Sequence, residues 1–314
     1  MTTLDDLRHV YHLPIPDLIW RAMQVHRAHH ATDDIQRCAL LSIKTGGCPE
    51  DCGYCSQSAH FETPVTATPL LTVAEVEAKA KQAKERGATR FCMGAAWRGP
   101  KDGPQFDRVL EMVRTVRGLG MEACVTLGML TDDQARRLKD AGLTAYNHNL
   151  DTSRRHYPNV VTTRAYDDRL ETLQTVSRAG ISVCCGGIVG MGENEDDRLM
   201  MLAELAALDP PPESVPINCL VPIRGTPLAE ARAIDPMEIV RLIATARITF
   251  PLARVRLSAG RDRMSRELQV LCFLTGANSI FFGEKLLTAP NPDATDDADL
   301  FRAMGLPAFT ATAP

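Results

Sequence analysis

The sequence lacks the features that would direct a protein to a membrane, a secretory route or a nucleic acid. No apolar run is long enough to span a bilayer. The first residues, MTTLDD, are acidic and carry no apolar signal segment. Basic residues are not in excess, because 35 Lys and Arg stand against 39 Asp and Glu, giving a net charge of −4, whereas a nucleic-acid surface shows a basic stripe. We therefore expect a cytoplasmic protein that binds no membrane and no nucleic acid.

Cysteine is well represented, and its use follows from those absences. The chain of 314 residues contains 10 cysteines. In a chain of this length without a secretory signal, cysteines serve as metal ligands or buried thiols rather than as disulfides. The length and the 45% hydrophobic content allow a large core in one big domain or two modest ones.

Three cysteines lie close together after a short apolar segment, residues 39–43. Cys48, Cys52 and Cys55 have C-x3-C-x2-C spacing, and the intervening glycines and proline favour a loop. Cubane iron–sulfur clusters are normally held by four Cys thiolates, so three thiolates would leave one iron open to a small molecule. A zinc knuckle is the main alternative, although zinc sites favour paired C-x2-C spacings. The other alternative is that the three thiols lie in a surface loop and bind no common metal.

From residue 39 onward, short apolar segments alternate with amphipathic helices. The predicted strands are 40–44, 89–93, 122–127, 145–150, 182–189, 215–220, 254–258 and 279–282. This alternation predicts an α/β fold, a (β/α)8 barrel of the TIM type, with an open doubly wound sheet as the alternative. Residues 1–37 are predicted to form an N-terminal helical cap, 38–290 the barrel, and 291–314 a short, loose C-terminal extension with disordered last residues.

Several predicted strands carry polar residues at alternate positions, where barrel strands usually carry Val, Ile and Leu. These positions are Arg90, Cys92, Glu122, Cys124, Thr126, Asn147, Asn149, Asp151, Ser182, Cys184, Asn218, Arg254, Arg256 and Ser258. Because side chains alternate across a strand, these residues can converge on one lumen. We expect a polar cavity for substrate and cofactor at the C-terminal ends of the strands, with a fully satisfied hydrogen-bond network as the alternative.

The cysteines of the predicted strands divide by the face on which they lie. Cys92, Cys124 and Cys184 come from three strands and can hold a second metal centre, whereas Cys185 should face the helices as a small hydrophobe. The same apolar role is expected for three further cysteines, Cys38, Cys219 and Cys272. Chemistry alone assigns Arg256 to an anion, because guanidinium is a poor metal ligand.

Two other motifs allow more than one interpretation. His26, His29 and His30 could suggest a metal site, but at helical spacing they more readily form a solvated face. The glycine-rich segment 186–193 does not match the dinucleotide fingerprint G-x-G-x-x-G. We expect its backbone to pack against a flat or sulfonium-bearing ligand.

The motifs together resemble the biotin synthase family of the radical S-adenosylmethionine (SAM) superfamily, from about residue 17 to 305. The segments that carry the resemblance are SIKTGGCPEDCGYCSQS, TRFCMGAAW, EACVTLG, YNHNLDTS, VCCGGIVGMGE, ESVPINCLVPIRGTPLA, VRLSAGR and GANSIFFGEKLLTAPNP. The first segment alone is typical of radical SAM enzymes. The resemblance implies a homodimeric barrel enzyme, a sulfurtransferase that inserts sulfur into dethiobiotin at C9 and C6, with an electron donor such as flavodoxin.

The resemblance also implies residue roles. Cys48, Cys52 and Cys55 would bind a [4Fe–4S] cluster whose open iron chelates SAM, and a 5′-deoxyadenosyl radical would abstract hydrogen from the substrate. The implied ligands of an auxiliary [2Fe–2S] cluster, the proposed sulfur source, are Cys92, Cys124, Cys184 and Arg256. The implied SAM-binding residues are Tyr54, Asn149, Asp151, Arg169 and Ile188. The implied substrate-binding residues are Asn147, Asn149, Asn218 and Thr288.

Two positions depart from the family pattern. Cys185 stands where relatives often carry Ser, and Ala289 where many carry a second Thr, so that Thr288 would act alone. Another radical SAM barrel enzyme, of methylase or maturase type, is the first alternative function. A non-catalytic iron–sulfur electron carrier is the second, although it would need no polar lumen.

Overall fold

Parallel strands form one closed barrel in residues 3–283 and 285–306, which the computed structural model describes. The strands are β1 (Gln36–Lys44), β2 (Arg90–Ala95), β3 (Glu122–Thr126), β4 (Ala145–Asn147), β5 (Ser182–Cys184), β6 (Gly187–Val189), β7 (Ser214–Cys219), β8 (Arg254–Leu257) and β9 (Ser279–Phe282). The strands pair in the order β5-β4-β3-β2-β1-β9-β8-β7-β6, so that β1 pairs with β9. Short β5 and β6 both pair with β7, and together they occupy the place of the predicted strand 182–189. The barrel prediction is confirmed, and the open sheet is wrong.

Helices connect the strands and cover the outside of the barrel. They are α1 (Leu4–Tyr11), α2 (Ile15–His29), α3 (Val73–Glu85), α4 (Pro104–Gly118), α5 (Asp132–Asp140), α6 (Tyr166–Arg178), α7 (Glu195–Ala206), α8 (Pro236–Thr249), α9 (Arg266–Leu274) and α10 (Ala294–Ala303). Capping boxes at Thr72 and Thr131 start α3 and α5. Gly87 and Gly142, with φ of 89° and 92°, follow the ends of these helices, where a left-handed residue is needed. Among the helices of the described residues, none is long and apolar enough to cross a membrane.

The N-terminal segment differs in detail from the expected cap. It contains two helices, and β1 already begins at Gln36, inside the range 1–37. The prediction of a solvated histidine face is wrong for His26, which is buried, and for His30, which is half-buried. These two rings stack, and Nε2 of His30 lies 3.0 Å from the carbonyl oxygen of Pro251. Only His29 of the three is exposed.

The C-terminal segment is not a loose extension throughout. Helix α10 buries Leu300 and Phe301 in the main apolar cluster, and its Asp297 forms a fully buried ion pair with Arg261. Burial of this ion pair raises the pKa of Asp297, although the Arg261 charge opposes the shift. The predicted disorder of the last residues falls on 307–314, which lie outside the described residues.

Candidate iron–sulfur and substrate site

A cavity of about 330 Å³ opens at the C-terminal ends of the barrel strands. Its wall includes the cysteine loop after β1, the lumen face of β2 and β3, and the residues that follow β4, β6 and β7. Its volume falls within the usual range for small-molecule sites. This is the place at which barrel enzymes carry their active sites, and it is the place where the sequence predicts the polar cavity.

The three loop cysteines all line this cavity. Cys52 is buried, and Cys48 and Cys55 are half-buried. Backbone bonds hold the loop: the N–H of Cys48 donates to the carbonyl of Gln57 at 2.9 Å, and that of Gly53 donates to Val160 at 2.8 Å. The left-handed backbone at Gly46 and Gly47, with φ of 71° and 64°, lets the chain turn into the loop.

The surroundings of the loop thiols favour their neutral form, and an arginine lies beside one of them. Burial raises the pKa of all three thiols, that of Cys55 to about 12. Nη2 of Arg164 donates to Sγ of Cys52 at 3.5 Å. Metal ligation requires thiolates and releases the protons, and this guanidinium favours the charged form of the sulfur it contacts.

The three loop thiols share one wall of the cavity. Within residues 3–283 and 285–306, no group of three His, Cys, Asp or Glu side chains is placed to hold one metal ion. The thiolates of an iron–sulfur cluster each bind a different iron, so they stand farther apart than the ligands of one ion. Three thiols that share a cavity wall fit an iron–sulfur cluster with one open iron.

A tyrosine–carboxylate–arginine group lies behind the last loop cysteine. The hydroxyl of Tyr54 donates to Oδ2 of Asp151 at 2.7 Å, and Arg169 donates to the same carboxylate oxygen and to the carbonyl of Asn149. Burial raises the pKa of Tyr54, and the Asp151 charge raises it further. Nε of Arg169 donates to the hydroxyl of Tyr157 at 2.8 Å. The network fixes three predicted SAM-binding residues relative to one another.

Asp151 adopts an unusual backbone conformation within this group. Its φ is 69°, and it is the one non-glycine residue of the described chain with positive φ. A left-handed non-glycine residue costs about 1 kcal/mol or more. The carbonyl of Asp151 accepts from the N–H of Ile188 at 2.7 Å, which ties this turn to β6. The predicted strand 145–150 therefore ends early, and Asn149 and Asp151 reach the cavity from a turn.

Barrel thiols lie deeper in the same lumen. Cys92 and Cys124 are buried, belong to one cluster and line the floor of the cavity. Sγ of Cys184 accepts hydrogen bonds from Nδ2 of Asn147 at 3.4 Å and from Nη1 of Arg256 at 3.5 Å. Cys185 instead packs in the main apolar cluster outside the lumen. The neighbouring thiols thus point to opposite faces, as strand alternation predicts.

Arg256 and Arg90, the buried arginines of the floor, have different partners. Arg90 forms ion pairs with Glu122 at 2.7 Å and Glu213 at 3.0 Å. Arg256 donates to Oγ of Ser279 at 2.9 Å and to Oε1 of Gln36 at 3.2 Å. Among the described residues, no carboxylate pairs with Arg256. Its surroundings can therefore accept an anionic group.

The predicted substrate-binding amides are part of a continuous network. Asn147 donates to Oδ1 of Asn149 at 3.1 Å and accepts from Thr126 at 3.1 Å. Asn218 donates to the carbonyl of Gly187 at 2.9 Å. The hydroxyl oxygens of Thr288 and Ser56 lie 2.9 Å apart, within hydrogen-bond distance. All four predicted residues line the cavity, which is where a substrate would meet them.

The first two glycines of the glycine-rich segment pack closely against neighbouring strands and helices. A Cβ on Gly186 would lie 2.0 Å from the carbonyl oxygen of Pro216, and one on Gly187 would lie 2.1 Å from Sδ of Met201. Any side chain at these two positions would clash with protein atoms, and the expected contact of this backbone with a ligand stays a prediction. The side chain of Ile188, the residue that follows these glycines, lines the cavity.

Sequence reasoning missed several residues of the site. Cys38 was expected to be a small hydrophobe, but it faces the lumen, where Nη2 of Arg256 donates to its Sγ at 3.3 Å. Cys219 also lines the cavity. His148 lines it too, and Nε2 of this buried ring has no hydrogen-bond partner among the described residues. Strand parity could have identified Cys38, because it shares a face with Leu40 and Gln36.

Comparison with known proteins agrees with this site. Residues 42–206 match the Radical SAM superfamily, and residues 216–307 match the Biotin and Thiamin Synthesis associated domain. A protein from Methylobacterium sp. (strain 4-46) described as biotin synthase is 64% identical over 306 residues, covering 97% of this chain and 92% of the relative. One of the same description from Gloeobacter violaceus is 59% identical over 305 residues, covering 97% and 96%.

Solved structures resemble the barrel at much lower sequence identity. Methylornithine synthase matches with a TM-score of 0.82 and 18% identity, covering 99% of this chain and 95% of the other. The FeFe-hydrogenase maturase HydG from Carboxydothermus hydrogenoformans matches with a TM-score of 0.81 and 19% identity, covering 98% and 76%. At these identities the likeness shows the fold alone and does not favour the maturase alternative. Since the high-identity relatives cover nearly the whole chain and the radical SAM match covers its cysteine loop, the chain belongs to the biotin synthase family of radical SAM enzymes.

Proposed function

We propose that the chain inserts sulfur into dethiobiotin between C6 and C9 to form biotin, the last step of biotin biosynthesis. Its high-identity relatives carry the name of this activity. The observation that carries the proposal is that the loop thiols, Cys92 and Cys124 line one cavity, while Cys184 contacts Asn147 and Arg256 of its wall. A cavity of this kind brings a radical source and a sulfur source to the same small substrate.

Cys48, Cys52 and Cys55 are the proposed ligands of the [4Fe–4S] cluster. The family implies this cluster and SAM, and three thiols on one cavity wall fit a cluster with an open iron. Cys48, Cys52 and Cys55 would hold a cluster that, when bound, would supply an electron for the reductive cleavage of SAM. The loop glycines and backbone bonds hold the thiols in place, and Arg164 places a positive charge beside Cys52.

The residues around Asp151 are proposed to orient SAM. Tyr54 and Arg169 fix the Asp151 carboxylate, which leaves one of its oxygens free of these two bonds. Asn149 and Ile188 line the same wall. A carboxylate held in this way can accept from ligand hydroxyl or amino groups, and Ile188 can contact a flat ring.

Cys92, Cys124 and Cys184, with Arg256, are proposed to hold an auxiliary [2Fe–2S] cluster that provides the sulfur. Cysteine thiolates are its usual ligands. The buried Arg256 supports this proposal, because a guanidinium without a carboxylate partner is costly unless an anionic group is close. The surrounding strands supply the thiols from rigid positions.

Asn147, Asn149, Asn218 and Thr288 are proposed to bind dethiobiotin. Amide side chains donate and accept hydrogen bonds at the same time, which suits a ureido ring. Their mutual bonds fix which atoms remain for the substrate. Thr288, paired with Ser56, would meet the substrate carboxylate without help from Ala289.

We also propose that the chain works in the cytoplasm as a homodimer reduced by a donor such as flavodoxin. Trp20 on α2 and Leu252 before β8 are 62% and 76% exposed and are candidate contacts for a second copy. Sedimentation of the wild type and of Trp20→Glu tests the dimer. The division into cap (1–37), barrel (38–290) and extension (291–314) stays a prediction.

Anaerobic incubation with dethiobiotin, SAM and a reductant tests the function. We expect biotin and 5′-deoxyadenosine to form together. SAM cleavage without biotin would favour another radical SAM activity, and an absence of SAM cleavage in protein with full iron content would favour an electron carrier.

A further inference from the structure

Asp51, between the first two cysteines of the loop, is bonded to a segment that comes much later in the chain. Its Oδ1 accepts from the N–H of Thr162 at 2.9 Å and from the N–H of Thr163 at 3.1 Å, and its Oδ2 accepts from the hydroxyl of Thr162. In return, the N–H of Asp51 donates to Oγ1 of Thr163 at 3.2 Å. One residue thus joins the cysteine loop to the two threonines through both carboxylate oxygens and its own N–H.

Glu50, the neighbouring residue, is bonded to the same threonines. Its side chain is buried, lines the cavity, and accepts from the hydroxyl of Thr163. Its Oε1 lies 3.0 Å from Nη1 of Arg98, which also donates to the carbonyl of Thr163 at 2.6 Å. A buried carboxylate is costly unless it is paired, and here the pairing fixes the loop as well. Two adjacent acidic residues therefore attach the cysteine loop to one short segment.

This segment, residues 160–164, also contacts Cys52 and the residue after it. The carbonyl of Val160 accepts from the N–H of Gly53 at 2.8 Å, and Nη2 of Arg164 donates to Sγ of Cys52 at 3.5 Å. The backbone is therefore bonded to the segment on both sides of Cys52, and the thiol itself faces one of the segment's side chains.

The same segment connects the loop to the proposed SAM site. It leads directly into α6, whose Arg169 donates to the Asp151 carboxylate. Residues 49–55 form neither helix nor strand, so regular secondary structure does not set the spacing of the loop thiols. Hydrogen bonds from outside the ligand set orient metal ligands, and their loss typically costs about 10- to 100-fold in metal affinity. The bonds to residues 160–164 are of this kind.

We infer that Asp51 is a positioning residue, which holds Cys52 in place for the [4Fe–4S] cluster by bonding the loop to residues 160–164. This inference rests on the loop cluster of the proposed function. It gives a role to an acidic residue that binds no iron itself. The competing interpretation is that these bonds only stabilise the fold of the metal-free chain.

Anaerobic titration of the reconstituted full chain with an iron chelator tests the inference. In Asp51→Ala, the chelator concentration that removes half of the [4Fe–4S] iron should be about 10- to 100-fold lower than in the wild type. Asp51→Asn should stay near the wild type, because its Oδ1 can still accept from the N–H groups of Thr162 and Thr163. Asp235→Ala is the matched control, since Asp235 also accepts from a backbone N–H but does so at the start of α8, away from the cavity wall.

A second variant tests the same bonds from the other side. Thr163→Val removes the hydroxyl that bonds Asp51 and Glu50 and keeps the backbone N–H. It should lower the half-removal concentration in the same direction as Asp51→Ala, by a smaller factor. Thermal unfolding of the metal-free variants, followed by circular dichroism, shows how much of each effect belongs to the fold.

The outcomes separate this inference from the proposed function. Wild-type chelator resistance in both Asp51→Ala and Thr163→Val would overturn the inference and leave the loop cluster in place, and a lowered unfolding midpoint alone would then assign the bonds to the fold. An Asp51→Asn protein as sensitive as Asp51→Ala would overturn it as well. A wild-type protein that reconstitutes without any [4Fe–4S] absorbance would remove the loop cluster itself, and the inference with it.

Discussion

Two groups of thiols lie at the cavity wall or directly behind it, and they are built in different ways. The loop thiols lie within eight residues of chain, on irregular backbone held by glycines and by single hydrogen bonds. The barrel thiols lie on separate strands, fully paired on both sides and buried. An arginine donates to sulfur in each group, Arg164 to Cys52 and Arg256 to Cys184, both at 3.5 Å.

The difference matches the demands of the two proposed clusters. A cluster that must present an open iron to SAM needs a site at the rim, where a loop can leave one side uncovered. A cluster that gives up sulfur to a bound substrate needs a site at fixed distance below it, and rigid strands provide that position. The comparison predicts that the two groups can be damaged separately.

Removal of a loop thiol should have the largest effect. We expect Cys52→Ala to reduce SAM cleavage to the background rate, because only two thiolates would remain for the [4Fe–4S] cluster. Production of 5′-deoxyadenosine by chromatography measures this, and circular dichroism checks the fold. Cys272→Ala should cleave SAM as the wild type does. Normal SAM cleavage by Cys52→Ala would contradict the assignment of the loop cysteines as [4Fe–4S] ligands.

Removal of a barrel thiol should abolish biotin formation and spare the radical chemistry. In Cys124→Ala we expect the [4Fe–4S] absorbance and SAM cleavage to remain, while the [2Fe–2S] signal and biotin are lost. Parallel assays of 5′-deoxyadenosine and biotin provide the measurement. Equal loss of both products, in a folded protein, would show that the two groups are not independent.

The adjacent thiols on β5 sharpen the comparison, because they differ only in direction. Cys184→Ser should disturb the [2Fe–2S] spectrum and activity, whereas Cys185→Ser should keep both, since Cys185 packs in the apolar cluster. Placing a hydroxyl at position 185 costs stability by roughly 1–3 kcal/mol if it stays unpaired. Visible spectra and denaturant unfolding of the pair test this. The opposite pattern of spectra would refute the assignment of Cys184.

Asn149 lies between the barrel thiol Cys184 and the Asp151 group, and its replacement should have the smallest effect on the clusters. Its Oδ1 accepts from Asn147, which contacts Cys184, and its carbonyl accepts from Arg169 beside Asp151. Asn149→Leu should weaken SAM or dethiobiotin binding by about 1–3 kcal/mol, roughly 5- to 150-fold in Kd.

Calorimetric titration with both ligands measures the change in Asn149→Leu, with surface Asn159→Leu as the control. Absorbance of the two clusters should stay at the wild-type level. Unchanged binding of both ligands would remove Asn149 from the site.

The sequence predicted the barrel and the loop because both depend on local patterns. Helices such as Pro236–Thr249 carry their own caps and apolar faces, and the spacing of Cys48, Cys52 and Cys55 is read directly. The alternation of strands also placed Cys92, Cys124 and Cys184 on one face. Closure of the sheet could not be read, because pairing of β1 with β9 joins residues far apart in the chain.

The errors in prediction concern contacts that only tertiary structure brings together. Cys38 looks like any apolar strand cysteine until Arg256 from β8 lies beside it. His26 shows the helical spacing of a surface residue, but α2 packs against α8 and the ring is buried. The polar composition of 291–314 suggests a loose segment, so α10 was not predicted. Its Asp297 is buried in an ion pair with Arg261, which precedes it by many residues in the chain.

Quantitative Mössbauer spectroscopy of the reconstituted protein tests the central claim, that one cavity carries two separately held clusters. We predict wild-type spectra with both [4Fe–4S] and [2Fe–2S] components. Cys52→Ala should lose only the first component, and Cys124→Ala only the second. A single cluster type in the wild type, or loss of both components in either folded variant, would contradict the account.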